Sequence, residues 1–288
     1  MLKKANKSYL TERDIKILRF IWKWKVLSTL AISRKFFPES ISDAAYRRLL
    51  DLTRMGFIEP VNINFNRQAL WSLTTKGFIR ISPFLGELLS KGFKAENSSH
   101  DYLVTCFHLG LWLTNQPEYT QTYSEQQLRR ISPELWDAWV PSSTVHRPDG
   151  YSLLFKNDKK VIISFEVELS IKEKKRYEPL IVFYDSQDSI DFVFWLVERK
   201  KDIRSLKNIF AHLGMKKHLK HQFVLLENFK KNGWLAPFSH GSFEGQLIAN
   251  VLFPQGIPRS SLAVPLRDDL ALLNTSKKPL ISISSTCN

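Results

Sequence analysis

Only two cysteines are present, Cys106 and Cys287, far apart and without a CxxC pair. That spacing excludes a disulfide framework and a thiolate zinc site. No apolar run approaches the roughly 20 residues of a membrane-spanning helix. The opening Met1-Leu2-Lys3-Lys4-Ala5-Asn6-Lys7 has no apolar core behind its charges, so it does not read as a signal peptide. A soluble, cytoplasmic protein with no membrane partner is expected. No internal repeat is visible. Acidic residues are scarce, 28 Asp and Glu against 42 Lys and Arg, which leaves a net charge of +14.

The basic excess is concentrated. Residues 1–80 hold 16 Lys and Arg against 6 Asp and Glu, ten of the fourteen net positive charges. A basic head on a nearly neutral body is the pattern of a polyanion-binding module joined to a separate core. At 288 residues with 43% hydrophobic content, the chain is long enough for two such units.

Within the head, Thr11 can cap a helix carrying Asp14 in its first turn, and Ile15, Leu18, Phe20, Ile21 and Trp22 supply its apolar stripe. A short helix is expected from about Ser28 to Phe36, stopped near Pro38. Ser42 then caps a third, about Asp43 to Met55, ended by Gly56. Leu49, Leu50 and Leu52 line its inner side, with Tyr46, Arg47 and Arg48 near its start. Gly56 to Val61 and Ala69 to Gly77 read as two strands joined by a polar tip at Asn62 to Arg67. This segment resembles winged helix-turn-helix DNA-binding domains, in which a helix ending in Gly-hydrophobic-Ile precedes a hairpin closing on Leu-Thr-x-x-Gly. The resemblance implies that the third helix enters the major groove of double-stranded DNA. Ser42, Tyr46, Arg47 and Arg48 would lie near bases or phosphates, and Arg67 on the backbone. A winged helix used for protein contact, with these arginines on a solvated face, is the alternative.

Residues 81–98 read as a connecting segment, with one short helix around Leu85 to Leu89. A body follows over 99–256. It holds a helix capped by Ser99 and running through His100 to Trp112, and a strand near Tyr119 to Tyr123. Further strands cover Tyr151 to Lys156 and Val161 to Leu169, and a helix runs from about Ile171 to Tyr184. The apolar strand Asp191 to Glu198, a helix from Ile203 to Leu213 and a strand from His221 to Leu226 complete it. That order predicts an α/β body around a mixed sheet. Residues 257–288, rich in Pro, Ser and Thr near their start, are expected to be a partly loose extension.

The chemistry concentrates in Pro148-Asp149-Gly150 and Phe165-Glu166-Val167-Glu168. Side chains alternate along a strand. Val161, Ile163, Phe165, Val167 and Leu169 therefore share one face, and Ile162, Ser164, Glu166 and Glu168 the other. With a turn at Asn157-Asp158, Lys156 faces Lys159 and Asp149 faces Glu166; a turn at Asp158-Lys159 puts Asp149 opposite Glu168. Either register brings three carboxylates to one end of a sheet, where a divalent cation would relieve their repulsion. The competing reading is that Arg147 and the nearby lysines neutralise them without metal. His108, His146, His212, His218, His221 and His240 show no metal-ligand spacing.

Helix, three strands, helix, strand is the core of the restriction-endonuclease-like PD-(D/E)XK nucleases, which Pro148-Asp149 and Glu166-x-Glu168 resemble. The resemblance implies Mg²⁺ or Mn²⁺ held by Asp149, Glu166 and Glu168, with the Val167 carbonyl as a further ligand. Glu168 stands where that family carries a lysine. Some members move the lysine to the next helix, where this chain offers Lys172, Lys174 and Lys175. His100 is a candidate ligand or proton shuttle, or a core histidine, and Tyr177 and Tyr184 are possible nucleophiles or packing residues.

Taken in order, the winged helix, His100-Asp101-Tyr102-Leu103, Arg147-Pro148-Asp149, Glu166-x-Glu168 and the Lys- and Tyr-bearing segment after it resemble the replication-relaxation family of plasmid and mobile-element proteins. They are also similar to the MOB-C class of conjugative relaxases. The resemblance covers about residues 10–200. It implies a DNA-nicking protein at an origin of transfer or replication, working with other mobilisation or replication proteins. A non-catalytic DNA-binding regulator with a degenerate nuclease-like body is the alternative.

Overall fold

The structure is a computed structural model that describes residues 9–38, 42–63, 66–110, 121–156, 159–215 and 218–253. The proposed Asn157-Asp158 turn, Trp112 and the extension 257–288 lie outside the described residues.

The head begins with α1 (Glu12–Trp24), whose Thr11 cap forms a capping box with Asp14. A two-residue strand β1 (Leu27–Ser28) leads into α2 (Thr29–Phe36), with Ser28 as its cap. Next come α3 (Ser42–Arg54), β2 (Ile58–Ile63), β3 (Asn66–Leu73) and α4 (Thr75–Ile81). Gly56 takes φ +76, the left-handed conformation that ends α3. The strands form one antiparallel sheet in the order β1-β3-β2. Ile17, Leu18, Ile21, Leu49, Leu52, Ile58, Trp71 and Leu73 close its core. The pairing of Leu27 with Trp71 was not legible in sequence, because two residues carry no period.

The body opens with α5 (Ser98–Leu109), capped by Asn97 rather than the expected Ser99: the Asn97 side chain accepts from the His100 N–H. Between head and body, the expected helix around Leu85 to Leu89 is absent. A single 3₁₀ turn at Ser82–Phe84 stands there instead, and Leu88 bridges to Ile131. Gly86, at φ +73, interrupts that segment. Then follow β4 (Gln121–Ser124), α6 (Glu125–Arg130), β5 (Gly150–Lys156), β6 (Lys159–Glu168) and α7 (Glu178–Ser186). The chain continues through β7 (Phe192–Val197), α8 (Lys200–His212), β8 (His221–Leu225), α9 (Leu226–Asn232) and α10 (Ile248–Leu252). Helix α7 starts seven residues later than expected. Pro179 in its first turn marks the start, a position proline favours because its missing N–H costs nothing there. Lys174 and Lys175 fall in a 3₁₀ turn and Lys172 in the loop after β6, so none of the three is borne on that helix.

The five strands run β4-β5-β6-β7-β8, antiparallel for the first two pairings and parallel for the last two. The protein is therefore a mixed α/β structure with two sheets. Ile163, Phe165 and Val167 pack with α5, α9 and α10 on one face, and Ile162 packs with α7 and α8 on the other. Both faces of β6 are buried, so its two glutamates sit in the interior. Head and body are joined by packing as well as by chain. Val26, Ile63 and Leu70 belong to the same core cluster as Tyr102, Leu103 and Phe107 of α5. No helix among the described residues is long and apolar enough to cross a membrane.

Candidate functional site

Lys156 pairs with Lys159 and Gly150 with Phe165, the register expected from a turn at Asn157-Asp158. Asp149 thus lies one step beyond the ladder, opposite Glu166. Three backbone-level contacts fix it. Its N–H donates to the Phe165 carbonyl at 3.1 Å, its carbonyl accepts from the Glu125 N–H at 3.0 Å, and its Oδ2 accepts from the Val167 N–H at 2.8 Å. Gly150 permits this approach. A Cβ there would stand 2.5 Å from the Tyr123 carbonyl oxygen and 2.6 Å from His108 Nε2. Its φ of +151 also disfavours any side chain.

Each acid has its own partners. His100 Nε2 stands 3.6 Å from Asp149 Oδ2 and donates to the Val167 carbonyl at 3.2 Å, while its Nδ1 lies 3.7 Å from Asp101 Oδ1. Glu166 Oε1 meets His146 Nε2 at 2.6 Å and accepts from the Tyr184 hydroxyl at 2.6 Å; that hydroxyl is 2.8 Å from Ser164 Oγ. Glu168 Oε2 accepts from the Tyr177 hydroxyl at 3.1 Å and from Lys172 Nζ at 3.2 Å. Among the described residues no group of three or more His, Cys, Asp or Glu is placed to hold a metal ion. Arg147 is exposed and, among the described residues, Lys172 is the one lysine or arginine that pairs with these acids.

Burial pushes the Asp149 carboxyl up to about 7; His100 opposes the shift, and the nearby Glu166 and Glu125 charges add to it. Burial opposes the charge on His100 too, but Asp101 and Asp149 outweigh it and raise the imidazole above its ordinary value. Asp101 and Asp149 thus favour the charged form of the His100 ring, which also bonds the Val167 carbonyl. Burial and Glu166 push the Tyr184 hydroxyl far up, and burial does the same to Tyr177. Both tyrosines are buried and donate to glutamates.

His146 shows no metal-ligand spacing in the sequence, yet it reaches Glu166 as closely as Tyr184 does. The available signal was its position three residues before Asp149, on the segment entering the strand antiparallel to Glu166. Lys25 and Asp101 were missed as well. Their Nζ–Oδ1 distance is 3.0 Å, and Lys25 also meets Glu125 Oε2 at 2.7 Å, tying the end of α1 to α5 and α6.

On the head, Arg47 is exposed on α3, and Tyr46 is 43% exposed with its ring 6.2 Å from that of Trp71. Arg48, assigned with them to DNA, is committed inside the fold. Its Nε reaches Asp14 Oδ1 at 2.9 Å, and its Nη2 reaches Asp14 Oδ2 at 2.6 Å and the Tyr9 carbonyl at 3.0 Å. Asp14 is fully buried, and this fork keeps its carboxyl below the usual range against the opposing effect of burial. Ser42 is the first residue of α3 and Arg67 lies on β3; their side chains lie outside the described residues.

No protein-family model, curated protein or solved structure matches the chain.

Proposed function

We propose that this chain is a DNA-binding protein of a plasmid or mobile element, acting at an origin of transfer or replication, whose body nicks one DNA strand. The head is read as a winged helix that grips the duplex through α3 and the β2–β3 hairpin. The body is read as a restriction-endonuclease-like domain with its centre at the Asp149–Glu166 end of the sheet. The observation that carries this reading is Asp149. It is pinned by backbone contacts opposite a second buried acid, with a raised pKa and no lysine or arginine in ion-pair contact among the described residues. Holding a carboxylate at that cost is characteristic of sites where charge is used.

Asp149, Glu166 and the Val167 carbonyl would hold a hard cation that keeps several of its waters, whereas Glu168 is bonded to Tyr177 and Lys172. Mg²⁺ or Mn²⁺ would polarise the scissile phosphate there. His100, protonated near neutral pH and beside both Asp149 and Val167, would carry the proton in transit; Lys172 and Glu168 would border the strand's path. The raised hydroxyls of Tyr177 and Tyr184 favour attack by water over a phosphotyrosine intermediate.

Relaxation of a supercoiled plasmid carrying the cognate origin, in Mn²⁺, tests the reading. Wild type is expected to produce open circles and Asp149→Ala at least about a hundredfold fewer, the scale of losing one essential electrostatic group. Equal conversion by both, or none by either, contradicts nicking. The second reading, a DNA-binding regulator with a non-catalytic body, is favoured by one observation: Glu166 and Glu168 already have neutral or cationic partners that leave no shared vacancy.

A further inference from the structure

A cleft on the side of the head that faces the body has no part in the reading above. Lys16, Arg19 and Lys23 project from one stripe of α1, at the spacing that places residues on a common helix face. Phe20 and the nearly buried Trp22 of α1, Lys35 and Phe36 of α2, Leu85 and Gln127 complete the lining. Its volume is about 360 Å³, within the range of small-molecule sites.

The cleft holds four cations, and none of its described lining residues is acidic. Lys16 pairs with Glu12 at the exposed rim, at 2.7 Å. The other three have no carboxylate at ion-pair distance among the described residues. Lys23 turns its ammonium to two neutral oxygens, the Thr122 carbonyl at 2.7 Å and Thr122 Oγ1 at 3.0 Å, and its pKa falls to about 7 through burial and the neighbouring Lys35 charge. Lys35 sits 5.0 Å over the Phe20 ring instead of on an acid. Stability alone does not gather Arg19, Lys23 and Lys35 beside aromatic rings with no carboxylate at ion-pair distance; Asp137 acts on Lys23 only from farther away. An anion supplies the missing charge, and the rings supply a surface for a flat, partly apolar group.

We propose that this cleft is a binding site for a nucleoside phosphate, either free or as one unit of a single strand, with the phosphate on Arg19, Lys23 and Lys35 and the base against Phe20 and Phe36. It is separate from α3 and from the Asp149 centre, and does not depend on either reading.

Titration calorimetry in EDTA, which removes any cation from the acid centre, tests it with three probes: deoxythymidine triphosphate, a 5′-phosphorylated oligothymidylate of about five nucleotides, and inorganic phosphate. Saturable binding of at least one nucleotide probe is expected, weakened about tenfold or more in Arg19→Ala/Lys35→Ala. The probe bound more tightly tells a free nucleotide from a strand. Arg19→Glu, a single exposed change, is expected to weaken binding at least as much. Absence of saturable binding by both nucleotide probes, equal affinity in wild type and the double variant, or phosphate alone binding as tightly as the nucleotides, overturns the proposal.

Discussion

Arg47 and Arg48 are neighbours on one helix, yet the fold leaves the first exposed and engages the second. Arg48 forks onto Asp14, which is fully buried, so Arg48→Ala strands an uncompensated interior charge and is expected to cost about 3–5 kcal/mol. Urea unfolding measures it; a loss below about 1 kcal/mol contradicts the buried-pair account. The identity of Arg48 was legible in sequence, but its direction was not. Adjacent helical positions lie about 100° apart, and which of two adjacent arginines turns inward depends on where α1 brings Asp14. Lys23 carries the pH dependence. Its folded pKa, near 7, is below the ordinary lysine value, so the unfolded chain binds the extra proton between pH 7 and about 10.5. Its penalty is full below pH 7 and fades as pH rises through that window. Lys23→Met is therefore expected to stabilise the protein most at low pH, with the gain shrinking towards pH 10. A gain independent of pH assigns the effect to packing instead.

At the scale of elements, the pattern of period two along Val161 to Glu168 was sufficient to predict β6, its faces and its pairing with β5. Gly150 opposite Phe165 bears out one of the two registers weighed. What could not be read was the company each acid keeps. His146, Tyr177 and Tyr184 reach Glu166 and Glu168 from a loop, a turn end and a helix whose relative placement is set by tertiary packing. Three carboxylates at one sheet end looked like one site, and they resolve into three separately bonded acids. On the proposed reading, the exposed Arg47 is the α3 cation offered to duplex DNA. Arg47→Ala is expected to weaken duplex binding by about 1–3 kcal/mol with folding intact, and to lower the salt slope if the contact is to phosphate. Unchanged affinity at two salt concentrations would reassign the helix to protein contact.

Across the whole molecule, head and body behave as connected parts. Lys25 adopts φ +61 in a tight turn closed by the Val26 N–H on the Trp24 carbonyl at 2.7 Å, a conformation that a non-glycine residue holds only under constraint. The constraint is its ion pairs with Asp101 and Glu125; Asp101 in turn faces His100, and His100 faces Asp149. A continuous chain of charges therefore runs from the end of the head's first helix to the candidate centre. Sequence reading separated the two units by charge and composition. It could not see this junction, because Lys25, Asp101 and Glu125 lie up to 100 residues apart. The central claim is that the Asp149–Glu166 end of the sheet accepts a divalent cation, and calorimetric titration of Mn²⁺ into the full chain at pH 8 tests it most directly. One site per chain in wild type, lost in Asp149→Asn and kept in Glu168→Gln, is the predicted result. No saturable binding, or a site indifferent to Asp149→Asn, would contradict it.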